Sequence, residues 1–203
     1  MPPVREVRTG VWHWEAPHPE WKPGQDWGQL VSSYAIDVDD HLLLFDPLAL
    51  PGEIEELAAG RQTAIVLTCP WHRRDALSLA QRLGAPIHVP PPDEGDPDRV
   101  DGQVFSAGDR FLGVEAFPGM EPNDLALWVE SRRALVLGDT LVDRGDGLEF
   151  ERDWATRDAI AERGVPPDQI LEGLRPLLGL PVELVLATHG GPNDRAALER
   201  AFS

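Results

Sequence analysis

Four short runs of apolar residues, spread along the chain, each end in a small cluster of polar or ligand-type residues. Runs of branched apolar residues are typical of buried strands, and turns at strand ends are where α/β folds place their chemistry. The clusters are Thr68-Cys69-Pro70-Trp71-His72, Phe117-Pro118-Gly119-Met120, Leu137-Gly138-Asp139 and Ala187-Thr188-His189-Gly190. The sequence therefore predicts a sheet-based fold with a functional site at its strand ends.

The remaining pattern predicts a chain of mixed α and β structure. A β-hairpin is expected over 30–46, a helix over 51–58, and a second helix over 76–83 that Gly84 ends. Beyond residue 103, short apolar runs joined by polar turns indicate an antiparallel or mixed sheet rather than a regular βαβ alternation. A length of 203 residues favours one domain, 1–203.

Two segments are expected to lack regular structure. Residues 11–29 are rich in tryptophan and proline, which predicts an ordered N-terminal loop over the body of the domain. Its tryptophans, Trp14 and Trp21 among them, would either cover a sheet edge or dimer contact, or form one wall of a ligand cleft. Residues 90–102 are rich in Pro and Asp and predict a surface loop.

The charge balance restricts the partners. The 18 basic and 35 acidic residues give a formal net charge of −17, which repels nucleic acid and anionic membrane surfaces. The single cysteine allows no internal disulfide, and no apolar signal core or span of ~20 apolar residues is present. We expect a cytoplasmic protein whose partner is a small molecule, with a homodimer left open.

The order and spacing of the four clusters resemble the metallo-β-lactamase superfamily from about Tyr34 to the C-terminus. The resemblance implies a four-layer αββα sandwich with metals bound by loops at one edge of the two sheets. Asp139 matches the family's strand-ending Gly-Asp, whose carboxylate bridges two metals, and His189 matches the His-Gly whose imidazole binds the second metal. Met120 stands where the family has a histidine ligand, and a thioether is a poor ligand for zinc.

The family's His-x-His-x-Asp-His signature should follow Thr68, where this chain departs from it. Counted directly, the four positions are filled by Cys69, Trp71, Arg73 and Arg74. Shifted by one residue, they are filled by Pro70, His72, Arg74 and Asp75. The shifted register is preferred because it keeps a histidine. A cation at a ligand position repels a divalent ion unless its side chain points away.

The resemblance implies a reduced metal site in place of the full one. His72, Asp139 and His189 would be the ligands, with Cys69 and Asp75 as weaker candidates. Since a catalytic zinc uses about three protein ligands, one Zn or other divalent ion could be held, and a metal-free site is equally open. Asp139 and His189 would be the catalytic pair. The residues predicted to line the substrate cleft are Trp71, Met120, Trp14 and Trp21.

The function implied by the resemblance is hydrolysis of a small ester, thioester or lactone at this degenerate metal site. The alternative is a non-catalytic, metal-free protein of the same fold that binds a small ligand or a partner subunit. Motifs for phosphate binding, for a serine nucleophile elbow and for dinucleotide binding are absent from the sequence.

Overall fold

The computed structural model describes residues 3–154 and 164–203. The first of its two large sheets has seven strands, whose order in the sheet follows their order in the chain. Strands β1 to β4 pair antiparallel, and β4 to β7 pair parallel. They are β1 (Arg5–Arg8), β2 (Val11–Pro17), β3 (Leu30–Val38), β4 (His41–Phe45), β5 (Gln62–Val66), β6 (Ile87–Val89) and β7 (Gln103–Val104).

The second sheet has six strands in the order β15-β14-β11-β10-β9-β8, and β12 and β13 form a separate ribbon. Only the pairing of β11 with β14 is parallel among the described strands of this sheet. The bounds are β8 (Arg110–Phe111), β9 (Val114–Pro118), β10 (Leu125–Val129), β11 (Ala134–Leu137), β12 (Leu141–Asp143), β13 (Leu148–Phe150), β14 (Leu184–Ala187) and β15 (Pro192–Asp194).

The described helices are short, and all but the last, which follows β15, lie between strands. They are α1 (Gly52–Ala58), α2 (Ala76–Leu83), α3 (Arg152–Trp154), α4 (Pro167–Leu174) and α5 (Arg195–Ala201), with 3₁₀ turns at Glu130–Arg132 and Arg175–Gly179. Gly84 ends α2 with a φ of +64°, the left-handed conformation that glycine adopts most easily. None of the described helices is long and apolar enough to cross a membrane.

The sandwich follows from strands that are apolar on both faces. In β4, Leu43 and Phe45 pack into the core between the two sheets, while Leu42 and Leu44 pack outward against α1 and α2. The residues of β10 divide in the same way, between the inter-sheet core and the layer of α4 and α5. Because successive side chains of a strand point to opposite faces, each sheet needs a cover on both sides. The result is the predicted αββα arrangement.

The predicted loop at 11–29 is wrong in its first part. Val11–Pro17 forms β2 and pairs with β3 along its whole length. The prolines of this segment stand at the last residue of the strand or beyond it, so none of them removes a hydrogen-bond donor from the interior of the strand. Only residues 18–29 lack a helix or strand.

The interpretation of Trp14 as a cleft residue is wrong for the same reason. Trp14 lies on the helix-facing side of β2, is 1% exposed, and its indole donates to the Leu48 carbonyl at 2.8 Å. Residues 90–102 contain no helix or strand and are mostly exposed, with Pro90 and Val100 buried.

Candidate active site

The strand-end clusters meet at the carboxylate of Asp139, which follows β11. The Nε2 atom of His72 lies 3.1 Å from Asp139 Oδ1, and Nε2 of His189 lies 3.2 Å from the same oxygen. The indole of Trp71 donates to the other oxygen, Oδ2, at 2.7 Å. The three residues proposed as principal ligands are therefore neighbours in space, although they come from three distant segments.

The two imidazoles lie within hydrogen-bond distance of Asp139 Oδ1, but neither ring is aligned to donate a hydrogen bond to it. Asp139 Oδ1 is buried and has no well-aligned donor among the described residues, despite two ring nitrogens within 3.2 Å. A buried, unsatisfied oxygen of this kind requires a physical explanation. Nitrogens of two imidazoles therefore lie close to one carboxylate oxygen that no described donor satisfies.

His72 is oriented by Asp46, a residue that the sequence-based reasoning did not select. Asp46 follows β4, is fully buried, and places Oδ2 3.0 Å from His72 Nδ1. Its carboxylate also accepts from the backbone N–H of Thr68 at 2.9 Å and from the Thr68 hydroxyl at 2.5 Å. A carboxylate on Nδ1 keeps the proton there and turns Nε2 toward Asp139. The signal that could have identified Asp46 is that parallel neighbours such as β4 and β5 end at the same edge of the sheet, so the polar residues that follow them lie close together.

The backbone around His189 is held from two sides. The Ser32 N–H of β3 donates to the Thr188 carbonyl at 2.9 Å, and the Asp143 N–H donates to the His189 carbonyl at 2.8 Å. His189 Nδ1 is buried and has no hydrogen-bond partner among the described residues. The imidazole is thus positioned by its backbone and its packing rather than by a bond to its second nitrogen.

The backbone of Asp139 is held by a second buried carboxylate, that of Asp124. The Asp139 N–H donates to Asp124 Oδ1 at 3.3 Å, and the Thr140 hydroxyl donates to Asp124 Oδ2. Burial, followed by the charge of Asp139, raises the pKa of Asp124 to about 7. Gly138 has no side chain at the point of closest approach, where a Cβ would collide with Asp124 Oδ1.

Without a bound metal, the charges around His72 favour its protonated form. Burial disfavours a charged His72, yet the acidic groups around the ring outweigh it and hold the pKa of His72 well above its usual value. These groups are Cys69, Asp139 and Asp46, and because burial raises the pKa of the Cys69 thiol, the two carboxylates dominate at neutral pH. Burial lowers the pKa of His189. Burial alone would raise the pKa of Asp139, but His72 and His189 hold it well below its usual value.

The two weaker ligand candidates have different positions. Donor atoms of Cys69, His72 and Asp139 all lie within 4.8 Å of one another, which makes this trio a potential metal-holding group. Asp75 is not part of it. Its carboxylate accepts from the Ala49 N–H at 2.7 Å where α2 begins, so its selection as a ligand is wrong because the turn directs it away from the site.

The two arginines of the turn also differ. Arg73 points away and pairs with Asp98 at 3.1 Å. Arg74 lines the site, and its Nη1 donates to the Ser32 and Asp46 carbonyls at 2.7 Å each. Consecutive side chains of one turn, Trp71 and His72, both reach Asp139, so neither register of the family signature describes the turn alone.

A cavity of about 700 Å³ opens in front of Asp139. Trp71 and Met120 line it, as the sequence suggested, together with Trp27 and Trp154, which were not singled out. The rings of Trp27 and Trp154 meet the His189 ring edge to face, at centroid distances of 5.6 and 5.7 Å. Trp21 is not among the lining residues, and its indole donates to the Trp27 carbonyl at 2.8 Å.

No protein-family model matches this sequence. Among curated proteins it is similar to the atrochrysone carboxyl ACP thioesterase of Claviceps purpurea (strain 20.1), with 26% identity over 137 residues. That match covers 61% of this chain and spans only 44% of the length of the relative.

Several solved structures share the architecture. The DIM-1 metallo-β-lactamase exposed to ceftazidime superposes with a TM-score of 0.68 at 13% identity, covering 99% of this chain and 94% of that chain. TTHA1623 in a di-iron-bound form gives 0.62 at 21% identity, with coverages of 92% and 98%. A metallo-β-lactamase from Pontibacter korlensis gives 0.66 at 13% identity, with coverages of 100% and 97%. The chain therefore has the metallo-β-lactamase fold.

Proposed function

We propose that this protein is a metal-dependent hydrolase that cleaves a small thioester, with an ester or lactone as related substrates. The observation that carries the proposal is the convergence of His72 Nε2, His189 Nε2 and Asp139 Oδ1 at distances of 3.1 and 3.2 Å. The relative from Claviceps purpurea is described as a thioesterase, which favours the thioester among the three bonds.

The donor set fits one divalent ion. Two imidazoles and a carboxylate are ligands that zinc accepts. The Cys69 thiol groups with the donor atoms of His72 and Asp139 within 4.8 Å, a group that does not include His189, so the thiol is an alternative third ligand. The second oxygen of Asp139 accepts from the indole N–H of Trp71, which can only donate. A second ion at that oxygen would have to share it with the indole N–H, so the arrangement favours one ion over two.

Each neighbouring residue then has a definable task. A bound divalent ion would supply Lewis acidity and lower the pKa of a coordinated water. Asp46 orients His72, Trp71 fixes the plane of the Asp139 carboxylate, and Trp27 and the other indoles restrict water around the acyl group. In the overall reaction water adds to the acyl carbon, the C–S bond breaks, and the sulfur leaves as a thiol with one of the water protons.

The proposal is tested by measuring metal content and thioesterase activity on the same samples. Protein purified without chelator should contain close to one equivalent of Zn, Mn or Fe, and should release thiol from a short acyl thioester of N-acetylcysteamine. His72→Ala and His189→Ala should each lose most of the metal and at least about a hundredfold in kcat/KM. His41→Ala, at the opposite end of β4 from Asp46, is the matched control and should retain both. Less than about a tenth of an equivalent of metal in the unmodified protein would refute the proposal.

One observation favours a metal-free binding protein as a second candidate. Protonated His72 lies between the carboxylates of Asp46 and Asp139, so a proton can satisfy the charges that a metal would otherwise satisfy. In that case Asp139 and His189 form an acid/base pair inside a ligand cavity. The two candidates differ in EDTA sensitivity, because a metal bound to the folded state raises the Tm and a proton on His72 does not respond to chelator.

A further inference from the structure

The turn that carries His189 is held by a buried hydrogen-bonded pair from the first sheet, His13 of β2 and Ser32 of β3. We propose that this pair is a positioning unit for His189, in which His13 donates to the Ser32 hydroxyl and that hydroxyl donates to the Gly190 carbonyl. The role of His189 as a metal ligand rests on the proposed function, whereas the direction of the two hydrogen bonds rests on the contacts alone.

Every backbone carbonyl from residue 187 to residue 190 accepts a hydrogen bond from a donor outside that segment. In the chain order of these carbonyls, the donors are the Tyr34 hydroxyl at 2.6 Å, the Ser32 N–H at 2.9 Å, the Asp143 N–H at 2.8 Å and the Ser32 hydroxyl. The Nδ1 atom of His189 is buried and has no hydrogen-bond partner among the described residues. The direction of this imidazole is therefore set largely through its backbone, and Ser32 supplies two of the four bonds that hold it.

The number of available protons gives the direction of each bond. A backbone carbonyl can only accept, so the one proton of the Ser32 hydroxyl is used toward Gly190. The Ser32 oxygen must then accept from Nε2 of His13, which lies 2.8 Å away. Burial, followed by the charge of Arg5, lowers the pKa of His13 to about 4, which leaves a neutral ring near pH 7. His13 is thus the tautomer whose single ring proton is on Nε2.

The pairing of β2 with β3 brings the side chains of this unit together. His13 lies opposite Tyr34, and the two rings stack with their centroids 5.1 Å apart. Ser32 stands two residues before Tyr34, so its side chain lies on the same face of β3, the face that packs against the second sheet. All three side chains are buried, and Ser32 is 0% exposed. Ser32 is therefore placed to hold the turn and not to attack a substrate.

Gly190 is the residue at which the turn most needs an external donor. Its φ of +106° lies in the region that favours glycine, and an added Cβ would lie 2.4 Å from the Asp143 carbonyl oxygen. Glycine has more backbone freedom than any other residue, so no side chain of its own fixes the orientation of its peptide unit. The Ser32 hydroxyl selects one orientation of the Gly190 carbonyl, and with it the direction in which the preceding residue, His189, projects.

The directions of the hydrogen bonds can be tested by NMR on metal-free protein. In protein labelled with ¹⁵N at histidine and treated with EDTA, long-range ¹H–¹⁵N correlations near pH 7 should show His13 protonated on Nε2 and unprotonated on Nδ1. The His13 signals are those that are missing in His13→Gln. A proton on Nδ1 alone would overturn the proposal, because Ser32 would then donate to His13 and could not hold Gly190.

The positioning role is tested on metal-free protein by the ring signals of His189, which are those that are missing in His189→Ala. Ser32→Ala removes the hydroxyl and should shift or broaden these signals, whereas Ser32→Thr keeps a hydroxyl and should restore them toward their native positions. Ile54→Val, in α1, is the control because it removes one buried methyl group and lowers stability without touching the turn. Unchanged His189 signals in Ser32→Ala would overturn the proposal, as would an equal change in Ile54→Val.

Affinity for Zn²⁺, measured by competition with a chromophoric chelator, extends the test to the proposed metal site. Loss of a group that orients a ligand weakens metal binding by at least about tenfold, so Ser32→Ala should bind Zn²⁺ about tenfold more weakly than the unmodified protein. His13→Leu removes the donor to Ser32 and should have a smaller effect in the same direction, while His13→Gln keeps an amide donor and should lie closer to the unmodified protein.

Two outcomes separate this inference from the proposed function. An affinity of Ser32→Ala for Zn²⁺ within about twofold of that of Ile54→Val would show that the pair does not position His189 as a ligand, and would overturn the inference while leaving the metal site in place. An unmodified protein that binds no metal would defeat the proposed function, and the ring signals of His13 and His189 in metal-free protein would then decide the inference by themselves.

Discussion

Asp46→Asn is the most informative single substitution, because it changes which nitrogen of His72 carries the proton without removing a proposed ligand. In the native site Asp46 Oδ2 accepts from His72 Nδ1 at 3.0 Å, which keeps the proton on Nδ1 and leaves Nε2 directed at Asp139. Asparagine is nearly isosteric, but its Nδ2 amide can only donate. Placed against Nδ1, it favours the other tautomer, in which the proton sits on Nε2 and blocks that atom as a ligand.

The size of the effect follows from three contacts. The Asp46 carboxylate accepts from the Thr68 N–H at 2.9 Å, from the Thr68 hydroxyl at 2.5 Å and from His72 at 3.0 Å. Asparagine can keep the first through its oxygen, and the Thr68 hydroxyl can rotate to accept from the amide. The charged contact to His72 is lost, and a hydrogen bond of that kind contributes about 1.5–3 kcal/mol. We expect a loss of about 2 kcal/mol in unfolding free energy at pH 7 and a 10- to 100-fold weaker affinity for Zn²⁺.

Both quantities can be measured on the same protein. Urea unfolding followed by circular dichroism gives the stability, and competition with a chromophoric chelator gives the affinity for Zn²⁺. Asp75→Asn is the matched control, since that carboxylate accepts from the Ala49 N–H outside the site and should leave the affinity for Zn²⁺ unchanged. If Asp46→Asn kept its affinity for Zn²⁺ within about threefold of the unmodified protein, the orientation of His72 by Asp46 would be refuted.

Three further outcomes are expected. Trp71→Phe removes the indole donor from Asp139 and should weaken the binding of Zn²⁺ about three- to tenfold, measured by chelator competition, with less than about 1 kcal/mol lost in urea unfolding because Trp71 is 37% exposed. Gly138→Ala should lower the unfolding free energy, measured in urea, by more than about 2 kcal/mol, because its Cβ would collide with a buried carboxylate. Gly173→Ala, whose Cβ would have nothing within 4 Å, should leave the unfolding free energy undiminished. Burial lowers the pKa of His13 to about 4, so the unfolded chain takes up a proton on this imidazole at a higher pH than the folded chain does. His13→Gln should therefore flatten the loss of unfolding free energy between pH 6.5 and pH 4 by about 2 kcal/mol, and an unchanged slope would contradict that assignment.

The sandwich could be predicted from the sequence because its strands are apolar on both faces and end at recognisable polar clusters. The turn after α2 is typical, since Gly84 adopts the left-handed conformation that its position predicts. Strand β2 could not be recognised from the sequence, because its tryptophan and proline residues obscure the alternation of apolar and polar side chains that is typical of a strand. The prolines that argued against a strand stand at its end, where no ladder donor is lost.

The site could be predicted only in part, because ligand sets are defined by convergence and a sequence records only order. Asp139 and His189 stand at the ends of two paired parallel strands, β11 and β14, so the motif position and the spatial position agree. At the turn after β5 they do not agree. The backbone reverses there, with the His72 N–H donating to the Cys69 carbonyl at 3.2 Å, and this brings side chains from both possible registers to one carboxylate. Asp46 was missed for the complementary reason. It occupies no ligand position of its own, and its role exists only because β4 and β5 end side by side.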